Sequence, residues 1–85
     1  MNEIVQRVRS LLFTRLKLGK AAEEIGDEAQ LFGPEGLGLD SIDALELVLG
    51  LEKEFGVVIE DRPTAVKVLT SIRTIAEYVQ SQGKG

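Results

Sequence analysis

Neither cysteine nor histidine occurs among the 85 residues. The first absence rules out disulfides and thiolate metal sites, and the second removes the commonest general base and metal ligand. No stretch approaches the roughly 18 consecutive apolar residues of a membrane-spanning helix. Met1-Asn2-Glu3 leads straight into an amphipathic pattern rather than the uninterrupted apolar core of a signal peptide. Internal repeats and low-complexity segments are also missing. The glycines from 33 to 38 run G-x-x-G-x-G with no strand before them, which fits neither nucleotide loop, G-x-G-x-x-G or G-x-x-x-x-G-K-S/T. Asp27-Glu28 lacks the alternating oxygen ligands and later glutamate of a calcium hand, so no metal site is expected. A chain of this size forms one domain over residues 1–85 that buries roughly 60% of its unfolded surface, enough for one core and not for a cavity enzyme. It is expected to be soluble, cytoplasmic and monomeric, and held together by apolar packing.

What charge there is lies unevenly. The net value is −4, yet residues 1–20 sum to +4 and residues 35–61 to −7. A nucleic-acid binder needs its densest basic patch on the working surface, and here the distinctive surface is acidic, so protein partners with basic surfaces fit better.

Ile4, Val5, Val8, Leu11, Leu12 and Leu16 recur at helical spacing and predict a first helix over about 3–18, stopped by Gly19. Its basic residues would also suit a membrane-surface helix, but a small helical domain needs this stripe for its core. From Lys20 to Leu39 glycines and Pro34 punctuate a long loop, with Ile25, Leu31, Phe32, Leu37 and Leu39 available to anchor it. Val57-Val58-Ile59 has strand-like composition but no partner strand, so it is read as a loop with its apolar side chains turned inward. Pro63 suits the first position of a short helix over about 63–69. Ser71 caps a last helix over about 72–80, in which Ile72, Ile75, Ala76 and Val79 share one face. Ser81 to Gly85 are expected to fray.

The remaining stretch is the most specific. Asp40 and Ser41 have side-chain oxygens that accept from the free amides of a first helical turn, and helix formers follow as far as Phe55. At about 100° per residue Ile42, Leu45 and Leu49 form a narrow stripe, while Ala44, Leu47, Val48, Leu51 and Phe55 lie nearly opposite. Glu46 and Glu52 flank the narrow stripe and Asp43 lies a little further round. This favours solvent on that side, which we read as a docking face and the opposite one as core. A helix N-terminus is a favourable place for a phosphate, although a serine there is by itself an ordinary cap. Ser41 is no self-sufficient nucleophile, since no histidine exists to take its proton and no Gly-x-Ser-x-Gly elbow surrounds it. No catalytic residue is therefore assigned.

Leu39-Asp40-Ser41-Ile42, then Glu46-Leu47-Val48 and Leu51-Glu52-x-Glu54-Phe55, resemble the acyl carrier protein family over nearly the whole chain. The resemblance implies an all-α four-helix bundle with a long loop between its first two helices and a short third one. It also implies a 4'-phosphopantetheine arm on Ser41, placed there by a phosphopantetheinyl transferase and carrying acyl groups as thioesters. The work would belong to fatty-acid, polyketide or related lipid biosynthesis. Partners would be that transferase, acyl transferases and ketosynthases with basic surfaces, docking on Asp40, Ile42, Asp43, Leu45, Glu46, Leu49 and Glu52. Two departures stand out. Ile42 follows the serine where leucine is usual, and Lys53 lies in a stretch that is commonly acidic. An aminoacyl or D-alanyl carrier, which resembles the same bundle, and an unmodified helical interaction module are the alternatives.

Overall fold

The computed structural model describes residues 2–16, 25–32 and 41–83. Among them are four helices and no strand: α1 (Asn2–Arg15), α2 (Ser41–Phe55), α3 (Arg62–Val68) and α4 (Ile72–Ser81). The fold is the all-α bundle implied by the sequence. Gly19, Leu37, Leu39 and Asp40 lie outside the described residues.

Each helix is bounded by local chemistry. In α1, Glu3 sits in the first turn and Arg15 in the last, each complementing the helix dipole. α2 stops at Gly56, whose φ of 71° only a residue without a Cβ adopts at little cost, and whose amide donates to the Glu52 carbonyl at 2.9 Å. α4 opens with a reciprocal capping box. The Thr74 amide donates to the Ser71 hydroxyl at 3.2 Å, and the Ser71 amide donates to the Thr74 hydroxyl at 2.9 Å. That same Thr74 hydroxyl donates to the Val68 carbonyl at 2.7 Å, fastening the end of α3 to the start of α4. α4 continues one residue beyond the predicted Gln80, so Ser81 belongs to the helix, its hydroxyl donating to the Tyr78 carbonyl at 2.7 Å.

Packing follows the apolar stripes. α1 packs against α4 and α2, and α3 against α4. Val8 and Leu12 of α1, Leu47 and Leu51 of α2, and Ile72, Ile75 and Val79 of α4 are completely buried together. At Gly50 the first two helices come close: a Cβ there would lie 3.3 Å from Leu11 Cδ2 and 3.5 Å from Arg15 Cγ. At the other end of the pair the Arg7 guanidinium lies 4.4 Å from the centre of the Phe55 ring and donates to the Glu54 carboxylate at 2.9 Å. Both charged side chains are well exposed, so the ion pair contributes about 0–1 kcal/mol.

The described part of the long connection, residues 25–32, is held by hydrogen bonds as well as by buried Ile25 and Leu31. The Leu31 amide donates to the Thr70 carbonyl at 2.9 Å, and the Arg73 amide to the Asp27 carbonyl at 2.8 Å. Arg9 donates to the Ile25 carbonyl and pairs with the Asp27 carboxylate, tying the segment to α1. In the 57–59 segment the inward reading holds for Val57, which is buried, and only partly for Ile59. Val58, between them, is 53% exposed.

The two sides of α2 predict unequal costs. Leu47→Ala or Leu51→Ala should destabilise by about 2–5 kcal/mol, as cavity-forming changes in a core do, whereas Ile42→Ala or Leu45→Ala should cost well under about 1 kcal/mol. Urea denaturation of the four variants checks this ranking.

Candidate functional site

Ser41 is the first residue of α2 and is exposed, with its side chain at the end of the helix where the amides lack intrahelical partners. Behind it the outer surface of α2 carries the narrow stripe: Ile42 is 70% exposed, Leu45 58% and Leu49 37%. Glu52 is exposed, while Asp43 and Glu46 are half-buried. Glu46 faces Arg15 of α1 across 3.9 Å, a contact the sequence reading missed because it depends on how closely α1 approaches at Gly50.

The spacing of its apolar residues divides α2 into a core face and an outer face. Between the two lies a third surface. Ser41, Ala44, Leu45 and Val48, spaced i, i+3, i+4, i+7, form one wall of an open groove. Arg62, Ala65 and Val66 of α3 and Leu69 just beyond its end repeat that spacing and, with Thr70, form the other. Gln30 and Phe32 contribute from the pinned loop, and the groove encloses about 660 Å³. Ala44 and Val48, expected in the core, are therefore only partly buried: each packs on the core with one edge and lines the groove with the other. The signal for this groove was faint in the sequence, since its walls come from three segments far apart along the chain.

The far wall is set by the cap of α3. The Asp61 carboxylate accepts from the Thr64 hydroxyl at 2.7 Å and the Thr64 amide at 3.0 Å, with Pro63 in the first turn where it needs no amide partner. These two hydrogen bonds, the hydroxyl's first, hold the Asp61 carboxyl below its ordinary value.

A phosphopantetheine attachment family model matches residues 6–79. The chain belongs to the acyl carrier protein family. Acyl carrier proteins from two strains of Nitratidesulfovibrio vulgaris are each 35% identical to it over 79 residues, covering 93% of this chain and 96% of theirs. A holo acyl carrier protein from Nitrosomonas europaea, solved in solution, superimposes with a TM-score of 0.79 over all of both chains at 21% identity, a likeness of fold. The chain is thus a carrier and not an enzyme, and 4'-phosphopantetheine is its cofactor. Ser41 is exposed beside this largely apolar groove. As an acyl carrier it works with synthase and acyl-processing enzymes. No helix among the described residues is long and apolar enough to cross a membrane.

Because Asp61 is depressed in the folded state, the unfolded chain binds the proton more readily, and the cap's contribution to stability grows as pH rises through that interval. It is fully present above the ordinary carboxylate value of about 3.9 and disappears as pH falls below the native one. Asp61→Ala should therefore melt lower than wild type at neutral pH, and the gap should close on acidification. Thermal melts across the acid range check it.

Proposed function

We infer that the arm is attached to the Ser41 hydroxyl and that the outer face of α2 receives the enzymes that load and process it. The observation that supports this most is the position of Ser41, which is exposed at the start of α2 and also lines the groove. In the loading step a bond forms from Ser41 Oγ to the phosphorus nearest pantetheine in coenzyme A. The bond from that phosphorus to the bridging oxygen of the pyrophosphate breaks, and adenosine 3',5'-bisphosphate leaves. The phosphopantetheinyl transferase supplies the base that takes the Ser41 proton. The arm supplies the terminal thiol on which acyl groups travel as thioesters. The chain's own part is to present the serine and to shelter the first carbons of the acyl group between α2 and α3, where Val48, Ala65 and Leu69 offer apolar contact.

The docking face combines Ile42, Leu45 and Leu49 with Asp43, Glu46 and Glu52 beside them, and Asp40 next to the serine in sequence. Apolar side chains so exposed add little to the stability of the chain alone, and a rim of carboxylates steers basic surfaces towards them. We assign the residues 1–85 to one carrier domain that acts in the cytoplasm in fatty-acid or related lipid assembly, as a monomer between encounters.

Two outcomes test this reading. Co-expression with a phosphopantetheinyl transferase should add the mass of one phosphopantetheine to wild type and none to Ser41→Ala, which should still fold because Ser41 is exposed. A Ser41→Ala variant that still gained the arm would sink the assignment. Removing two charges together, Glu46→Gln with Glu52→Gln, should raise the apparent KM for the carrier at low salt while leaving the melting temperature nearly unchanged. The difference should shrink as salt shortens the Debye length. Steady-state loading at two ionic strengths reads it.

A further inference from the structure

The groove beside Ser41 is lined by apolar and neutral polar side chains with one exception. Among the described residues that line it, Arg62 alone carries a charge. No carboxylate in the described structure pairs with its side chain, although acidic residues are near in sequence. Glu60 is exposed, and the Asp61 carboxylate accepts both hydrogen bonds from Thr64. α3 contains Arg62 and Lys67 and no acid, and of the two only Arg62 lines the groove. A guanidinium stays protonated at every physiological pH and presents a planar fork of donors that matches an oxyanion.

An apolar groove with a single unpaired cation suits a ligand with an apolar body and one anionic group. We propose that Arg62 holds an anionic oxygen group of the load carried on Ser41. This rests on the attachment at Ser41 inferred above. The anion has two possible sources with the same chemistry: the phosphodiester of the arm itself, or a carboxylate at the far end of a dicarboxylic acyl group. Neutral acyl chains satisfy the apolar lining of the groove and leave Arg62 to solvent, whereas an anionic group pairs with it. Arg62 is then a positioning residue for whichever of these two anions reaches the groove, and it selects among loads only where that anion is the distal carboxylate.

The test compares the full chain in four forms: apo, with the arm alone, with hexanoyl on the arm, and with adipoyl on the arm, a dicarboxylic load of equal carbon number. Intact mass comes first. If wild type takes no arm, the carrier reading fails and not the role of Arg62. With the arm confirmed, the Arg62 Nε–Hε resonance is followed by ¹⁵N NMR at low and high salt, with ³¹P NMR alongside. The resonance should move at a step that adds an anion, and revert in high salt. Movement on going from apo to the bare arm, together with a salt-dependent ³¹P shift, assigns the phosphodiester. Movement only on going from hexanoyl to adipoyl assigns the distal carboxylate. Arg62→Gln should abolish the salt-dependent difference in melting temperature between the responding form and its neutral counterpart, and Arg62→Lys should restore part of it. The proposal is overturned if no anion-adding step moves the resonance in a salt-dependent way, or if Arg62→Gln keeps the wild-type salt dependence.

Discussion

The structure depends on the burial of one side of α2. Leu47 and Leu51 are completely enclosed and Phe55 nearly so. Roughly 1.5–3 kcal/mol of transfer free energy for each such side chain fixes the rotation of the helix about its axis. Once that rotation is set, the placement of everything else on α2 follows from 100° per residue. Ser41 falls at the open end beside the groove, Ile42, Leu45 and Leu49 are turned outward, and Ala44 and Val48 are left between core and solvent. The exposed apolar stripe is thus a by-product of the core's geometry.

α3 gives this arrangement its second wall with only seven residues, too few to be stable as a helix alone. It is held at both ends instead. Asp61 and Pro63 define its start, and the Thr74 hydroxyl binds its last carbonyl to the first turn of α4. The Leu31 amide reaches Thr70 from the loop, so the same junction also positions Phe32 against the groove. One short helix, one capping box and one strap of loop together make the space beside Ser41.

Much of this could be read from residues. The opposed apolar stripes of α2, the capping role of Ser71 and the proline in the first turn of α3 are local signals, each tied to a rule of backbone or side-chain geometry. The groove was not legible, because Phe32, Val48 and Leu69 become neighbours only through tertiary packing. The strap was half legible: Ile25 and Leu31 were visible as apolar anchors, but the backbone hydrogen bonds to Thr70 and from Arg73 have no side-chain signature. Val58 is exposed between buried Val57 and half-buried Ile59, which the run of three apolar residues concealed. Asp40 and the glycine-rich stretch before it lie outside the described residues.

Gly50 has a consequence that reaches beyond packing. With no side chain at that position, Arg15 lies directly against α2, close to where a Cβ would stand, and its guanidinium is 3.9 Å from Glu46. The electrostatic character of the surface around the serine is therefore written partly in the first helix. A change at position 15 would therefore reset the charge beside Glu46 while the sequence of α2 stays untouched.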